Sequence, residues 1–132
     1  MKEKPFYWIY MLRLANGSYY TGYTEDLKRR YRAHCAGKGA KITRSFPPVA
    51  IVGCWKLFCG KGEVMKVEAR IKGCSRSMKQ TLIDNPQMLQ DFLEQQGVGG
   101  SGGNGEVLIL PQDLDTLARE VSTSTVDPID HF

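Results

Sequence analysis

The chain has 132 residues, of which 42% are hydrophobic and 24% charged, a balance typical of one globular domain with room for an appendage. No apolar run reaches the length of about 18 residues that a membrane span requires, and charged and turn residues interrupt the N-terminal segment too often for a signal peptide. We therefore expect an intracellular, cytoplasmic protein without a membrane partner, whose four cysteines stay reduced.

The charge is distributed unevenly along the chain. Residues 1–80 hold 17 Lys or Arg and 5 Asp or Glu, a net charge of +12, whereas residues 81–132 hold 1 Arg and 9 acidic residues, a net charge of −8. A basic region of this size favours a polyanionic partner, and a solvated basic surface is the alternative. The split also suggests that the acidic segment folds back over the basic face and competes with a nucleic acid.

The N-terminal pattern predicts a β-hairpin. Residues 6–14 are aromatic and aliphatic, as in a strand, and residues 19–24 form the return strand. Asn16 and Gly17 between them predict a tight turn, because both residue types tolerate positive φ.

A helix is predicted after the hairpin. Glu25 and Asp26 place negative charge at its N-terminus, where it suits the helix dipole, and the helix continues to about Ala36 and ends at Gly37. Residues 37–48 are then expected to form a basic loop closed by two prolines. The following segment predicts one more strand and three helices, at residues 49–58, 63–74, 75–85 and 86–96.

The character of the chain changes at residue 97. Residues 97–105 have the composition of a flexible glycine-rich linker, which separates a domain over residues 1–96 from an acidic C-terminal tail over residues 106–132. Within that tail, residues 106–111 could add an edge strand to the sheet, and residues 122–132 are predicted to lack regular structure.

Two tyrosines are candidates for proton transfer. Tyr10 and Tyr20 lie on adjacent predicted strands beside a basic helix, so that both hydroxyls can share one face of the sheet. A tyrosine is a poor base at neutral pH unless nearby cations or a metal favour the phenolate. Packed aromatic side chains are the alternative interpretation of this pair.

The first predicted helix carries a cation and an imidazole one turn apart. Leu27, Tyr31 and His34 share its apolar face, and Arg30 precedes His34 by four residues. Arg30 could bind a phosphate or stabilise its transition state, and His34 could orient water or shuttle a proton. The alternatives are a solvated arginine and a packed, hydrogen-bonded imidazole.

Glu68 is the acidic residue with the strongest chemical implication. It borders the apolar stripe of its helix, formed by Val64, Val67 and Ile71, and a glutamate there usually has a partner. One carboxylate suffices for Mg²⁺, which keeps several waters and takes further oxygens from phosphate. An ion pair with a nearby Lys or Arg is the alternative.

Other patterns are weaker signals of function. The four cysteines lack the C-x₂-C spacing of a zinc site. The short glycine turns around Lys38 and Lys61 suit an approach to phosphate but do not match a P-loop. Three large aromatic residues are interpreted as core rather than stacking platforms: Phe46, Trp55 and Phe58.

Taken together, these residues resemble the GIY-YIG nuclease domain, and the small stand-alone bacterial branch in particular. The first motif stands as residues 8–10, Trp-Ile-Tyr, and the second as residues 20–22, Tyr-Thr-Gly. Arg30 matches the family's arginine, His34 the histidine one helical turn further, and Glu68 the metal-binding glutamate. The resemblance covers residues 6–84 and includes the GKGAK segment at 37–41.

The resemblance implies an α+β fold with a central three-stranded antiparallel sheet flanked by helices. It also implies a Mg²⁺- or Mn²⁺-dependent DNA endonuclease in which Tyr10 helps to deprotonate water, with Tyr20 assisting by hydrogen bonding or exchanging that role. Arg30 and a metal on Glu68 stabilise charge. DNA repair or recombination is the expected setting. Basic residues of this region are the expected contacts to the nucleic acid: Arg29, Lys38, Lys41, Arg44 and Lys72.

The chain departs from the family pattern in three respects. Trp8 replaces the glycine of the first motif and Thr21 the isoleucine of the second, at positions that tolerate substitution in the stand-alone branch. Asn85 is the only candidate for a later asparagine that some members use. No second DNA-binding domain is recognised. There are therefore two alternative functions: a nucleic-acid-binding module without useful catalysis, and a nuclease subunit that needs a protein partner for target recognition.

Overall fold

The computed structural model describes residues 6–98 and 108–114, which form an α+β unit with four strands and five helices. The strands are β1 (Tyr7–Leu14), β2 (Tyr19–Thr24), β3 (Pro48–Phe58) and β4 (Leu108–Pro111). The helices are α1 (Leu27–Cys35), α2 (Lys41–Ser45), α3 (Lys61–Lys72), α4 (Arg76–Asp84) and α5 (Met88–Gln95).

The strands form one antiparallel sheet in the order β2-β1-β3-β4. The three predicted strands are adjacent in this sheet, as β2-β1-β3, which confirms the expected architecture. The proposed edge strand is also present, because β4 pairs with the outer edge of β3 and extends the sheet from three strands to four.

Glycines in left-handed conformation and side-chain caps mark the ends of several elements. Gly17 adopts a φ of 84° in the hairpin turn, and Gly37 adopts a φ of 76° after α1. The Asp26 side chain caps α1 by accepting a hydrogen bond from the Arg29 N–H, and Ser75 caps α4 in the same way through Met78.

The prediction of an irregular loop over residues 37–48 was wrong in part, because this segment contains α2. A helix of five residues is too short for a periodic pattern to reveal it. The Thr43 hydroxyl donates to the Ala40 carbonyl, and its buried side chain also contacts α1. Tertiary contact thus supports a helical turn that local sequence does not predict.

Each face of the sheet has its own core. One face packs against α3, α4 and α5 through Ile9, Met11 and Trp55, with the predicted stripe of α3 buried. The opposite face carries Tyr10, Leu12 and Cys54 against Leu27 of α1. Successive residues of β1 therefore serve opposite cores, as the alternation of a strand requires.

The end of the described chain belongs partly to the sheet. Ile109 is buried in the core on the α3 side, so part of the acidic segment is anchored beside β3. The predicted linker at 97–105 and the unstructured segment at 122–132 lie largely or wholly outside the described residues, and the domain division stays a prediction. None of the helices within the described ranges is long and apolar enough to cross a membrane.

Candidate active site

The two tyrosines lie side by side on the face of the sheet that α1 covers. Tyr10 pairs with Gly22 across the β1–β2 ladder and Leu12 pairs with Tyr20, so all four residues share this face. The ring centroids of Tyr10 and Tyr20 are 6.3 Å apart. Tyr10 is buried, whereas Tyr20 is partly exposed.

Arg30 joins these two tyrosines from α1. Its guanidinium lies within interaction range of the hydroxyls of Tyr10 and Tyr20, and hydrogen bonding with Tyr10 is the largest cause that raises the pKa of Arg30. Its neighbours Arg29 and Lys28 are exposed, whereas Arg30 is partly buried. Of these adjacent cations, Arg30 alone is directed toward the tyrosine hydroxyls by its position on the helix, and it stays positively charged there.

His34 lies behind Tyr10 with no exposed surface. The Thr43 hydroxyl donates its single proton to the Ala40 carbonyl at 2.9 Å, so it can only accept from Nδ1–H of His34 at 2.8 Å. Nε2 of His34 then carries a lone pair and accepts the Tyr10 O–H at 2.9 Å. The ordered chain from Tyr10 through His34 to Thr43 selects one imidazole tautomer and gives the Tyr10 proton an acceptor.

Burial governs the protonation of both groups in this pair. It raises the pKa of Tyr10 well above its ordinary value, which Arg30 partly opposes. Burial, reinforced by the positive charge of Arg30, lowers the pKa of His34 to about 4. At neutral pH Tyr10 is therefore a neutral phenol and His34 a neutral imidazole, which is the state that the hydrogen bonds require.

The shifted pKa of His34 should make stability depend on pH. Because the pKa falls from an ordinary 6.5 to about 4 in the folded protein, the unfolded chain binds more protons between these values. We expect the free energy of unfolding to be constant above pH 7 and to fall by about 2 kcal/mol between pH 8 and pH 5. Urea unfolding of the protein and of His34→Gln measures this, and an equal slope in both proteins would contradict it.

Glu68 belongs to α3, which packs on the face of the sheet opposite α1, and its side chain approaches the tyrosines from there. Its side chain is 20% exposed and forms an ion pair with Lys72 at 3.6 Å, which is the alternative that the sequence left open. The Lys72 ammonium also lies 5.9 Å from the centroid of the Tyr20 ring. The carboxylate nevertheless lies close enough to Tyr10 to raise the pKa of that phenol by its charge.

An open cleft brings four of the predicted site residues together. Its volume is about 390 Å³, and Tyr10, Tyr20, Arg30 and Glu68 all line it, together with Gly22. His34 supports the cleft from below through Tyr10 and does not line it. Phenol oxygens, a guanidinium and a carboxylate therefore face one concave surface.

The cleft suits a metal ion that needs only one protein carboxylate. In the described ranges, 6–98 and 108–114, no cluster of three or more His, Cys, Asp or Glu side chains could hold a metal. Glu68 is the carboxylate at the cleft, and Mg²⁺ or Mn²⁺ would take its remaining ligands from water and phosphate. The residues therefore fit such an ion if Glu68 gives up its ion pair with Lys72 and binds the metal instead.

All four cysteines are free thiols.

The predicted DNA-contacting residues are all exposed: Arg29, Lys38, Lys41, Arg44 and Lys72. Four of them belong to α1, α2 or the turn between these helices. Asn85 lies elsewhere, as the C-terminal cap of α4, where its amide donates to the Thr81 carbonyl.

Comparison with known proteins identifies the family. Residues 6–81, more than half of the chain, match the family model described as the GIY-YIG catalytic domain. The chain belongs to the GIY-YIG family. Membership supports nuclease activity of the hydrolase type, with DNA as the substrate.

Proteins of the UPF0213 group are among the relatives of this GIY-YIG chain. A UPF0213 protein of Halalkalibacterium halodurans is 43% identical over 77 residues, which cover 58% of this chain and 81% of that protein. A UPF0213 protein of Halobacterium salinarum is 45% identical, over 57% of this chain and 96% of its own length. A solution NMR structure of a UPF0213 protein from Bacillus halodurans is 38% identical, covers 65% of this chain and 94% of its own, and has a TM-score of 0.40.

The glycine of the second GIY-YIG motif has a steric role in this structure. A Cβ atom on Gly22 would lie 2.5 Å from the Tyr10 hydroxyl oxygen and 2.7 Å from the ring carbon that bears it. Only glycine at this position leaves room for the Tyr10 phenol beside β2. The two motifs are thus physically coupled, because one supplies the hydroxyl and the other the space beside it.

Two residues that support this GIY-YIG site were missed in the sequence. Thr43 orients His34, and Gly39 leaves space for the imidazole, since a Cβ on Gly39 would overlap Nδ1 of His34. The segment around Gly39 was noted for the helix end at Gly37, for a possible approach to phosphate and for its likeness to the family, but not for a contact with His34. Among the aromatic residues, Trp55 is core as predicted, and Phe58 is only partly buried. Phe46 is 41% exposed, so its assignment to the core was wrong.

Proposed function

We propose that this chain is a Mg²⁺- or Mn²⁺-dependent endonuclease that hydrolyses phosphodiester bonds in DNA, in repair or recombination in the cytoplasm. The observation that carries the proposal is the convergence of Tyr10, Tyr20, Arg30 and Glu68 on one cleft in the basic part of the chain. A proton acceptor, a fixed cation and a carboxylate are the groups that such hydrolysis uses.

Proton transfer from the attacking water begins at Tyr10. Its hydroxyl proton is donated to Nε2 of His34, so the lone pairs of the phenol oxygen are available toward the cleft. As water gives a proton to this oxygen, the Tyr10 proton passes to His34, whose lowered pKa makes the imidazolium a transient state that returns the proton once the phosphodiester bond is cut. Tyr20 assists by hydrogen bonding, and Thr43 keeps His34 in the accepting tautomer.

Charge on the phosphate is stabilised from the two sides of the cleft. Arg30 donates to the oxygens that become more negative in the transition state. Glu68 would hold the metal, which supplies positive charge at the phosphate and the leaving 3′-oxygen. Lys72 is released from Glu68 and becomes available to the DNA backbone.

The ion pair between Glu68 and Lys72 also favours a second candidate, a nucleic-acid-binding module with weak or no catalysis. In that protein Lys72 keeps the carboxylate occupied and the basic surface binds DNA without cutting it. A nuclease subunit whose protein partner supplies target recognition is intermediate between the two. Such a subunit would cut DNA weakly by itself and would cut at a normal rate once its protein partner is added.

Neighbouring arginines on α1 provide the test of the proposed function. Labelled supercoiled and branched DNA is incubated with the protein, Arg30→Ala and Arg29→Ala in Mg²⁺, Mn²⁺ or EDTA. We expect metal-dependent cutting that falls by a factor of about 10² to 10³ in Arg30→Ala and by less than about threefold in Arg29→Ala. Cutting that persists in EDTA, or that is equal in both variants, would contradict the proposal, and binding without cutting would favour the binding module.

A further inference from the structure

An aromatic cluster lies on the same face of the sheet as the cleft. The rings of Phe6, Trp8 and Phe58 surround the ammonium of Lys56, which is 4.2 Å from the Phe6 centroid and 5.5 Å from those of Trp8 and Phe58. Phe6 contacts both other rings, with centroids 6.1 Å and 5.8 Å apart. These four residues, which we call the aromatic platform, are all partly exposed.

Strand register places the platform next to the catalytic tyrosine. Trp8 pairs with Thr24 on one side and Lys56 on the other, and Lys56 pairs with Leu110 of β4. Tyr10 stands in the next row of the same face, about 7 Å along β1. The platform and the cleft are therefore continuous, and Leu110 extends the apolar surface with 42% exposure.

The chemistry of the platform matches unpaired nucleotides. Aromatic side chains stack on the faces of bases, which are accessible only where the strand leaves the duplex. Lys56 sits among the rings and supplies the charge that a phosphate backbone requires, in a region whose net charge is +12. A duplex offers no base faces to such a surface.

We propose that the aromatic platform binds unpaired bases of the DNA strand whose phosphate enters the cleft. The inference rests on the proposed function and narrows its substrate class to DNA with single-stranded nucleotides beside the cut, as at a branch or flap. The Trp8 ring stacks on the base adjoining the scissile phosphate, Phe6 and Phe58 extend the surface, and Lys56 contacts the backbone.

Tryptophan fluorescence gives a direct readout, because the chain has two tryptophans and Trp55 is fully buried. The full chain is titrated in EDTA, where no cutting is possible, with a 12-nucleotide oligothymidine and with a duplex of 12 base pairs. We expect the oligothymidine to quench the wild-type emission and the duplex to leave it nearly unchanged. In Trp8→Phe the quenching should vanish while binding, measured by anisotropy of a labelled oligothymidine, persists.

Three alanine variants test the surface by affinity. Trp8→Ala and Phe6→Ala should weaken oligothymidine binding by about tenfold to hundredfold and duplex binding by less than about twofold. Met65→Ala, an exposed apolar residue on α3, is the matched control and should change neither. If Trp8→Ala does not fold, Phe6→Ala decides the question.

Unchanged oligothymidine binding in the platform variants, or an equal loss for the duplex, would overturn the proposal. The two proposals fail separately. Wild-type protein that shows Trp8 quenching but never cuts DNA in Mg²⁺ refutes only the nuclease, whereas metal-dependent cutting of branched DNA with unchanged rates in both platform variants refutes only the platform.

Discussion

Tyr10→Phe should reduce single-turnover DNA cutting in Mg²⁺ by a factor of about 10² to 10⁴, the usual contribution of a positioned proton acceptor. The variant keeps the ring that fills the space beside Gly22 but removes the hydroxyl that receives the water proton and passes its own to His34. DNA binding in EDTA, measured by fluorescence anisotropy, should remain within about twofold, because the phenol lies on the wall of an already formed cleft.

Two other tyrosines make this result interpretable. Tyr23 also lines the cleft, but its side chain packs with the core on the α3 face of the sheet, opposite Tyr10, so Tyr23→Phe should cut at nearly the wild-type rate. Tyr20→Phe should lose less activity than Tyr10→Phe, because the hydrogen bond to His34 is made by the Tyr10 hydroxyl and Tyr20 is more exposed. A larger loss in Tyr20→Phe than in Tyr10→Phe would contradict the proposed mechanism, because it would indicate that Tyr20 accepts the water proton.

Glu68→Gln should abolish metal-dependent cutting, with a loss of about a thousandfold or more, because Glu68 is the one carboxylate that lines the cleft within residues 6–98 and 108–114. Glutamine keeps the size of the side chain and removes its charge. Glu63→Gln is a closely matched control, since Glu63 lies on the same helix and is also paired with a lysine, Lys66 at 3.8 Å. It should cut normally.

Metal binding separates this prediction from a general loss of function. Titration with Mn²⁺ in the presence of uncleavable, phosphorothioate-substituted DNA should show one bound ion for the wild-type protein and for Glu63→Gln, and none for Glu68→Gln. An unchanged ion affinity in Glu68→Gln would place the metal elsewhere. Unchanged cutting by Glu68→Gln would show that Glu68 takes no part in the mechanism. Its role would then be the structural ion pair with Lys72.

Much of the site was predictable because its parts follow from local periodicity. The hairpin turn at Asn16 and Gly17 sets the strand register, and alternation then places Tyr10 and Tyr20 on one face. The helical period likewise places Arg30 one turn before His34, with His34 toward the core. Such patterns depend on neighbours a few residues away, so the sequence contains them directly.

The order of the hydrogen-bond chain was not predictable in this way. It depends on Thr43 of a short helix meeting α1, and on Gly39 leaving space for the imidazole. Both residues act through a contact between segments whose relative position local patterns do not determine. His34 was predicted as a candidate for proton transfer or as a packed imidazole, and its hydrogen bonds to Tyr10 and Thr43 emerged only from the packing.

The sequence by itself determined the strand and helix periods, the basic character of residues 1–80 and the family motifs, because each is a property of composition or short spacing. Only the tertiary structure decided that Glu68 and Arg30 face one cleft and that β4 extends the sheet by pairing with β3. It also decided that the rings of the aromatic platform surround Lys56. These relations join residues far apart in the chain. They depend on which buried faces pack together, and packing is set by the whole core rather than by any local segment.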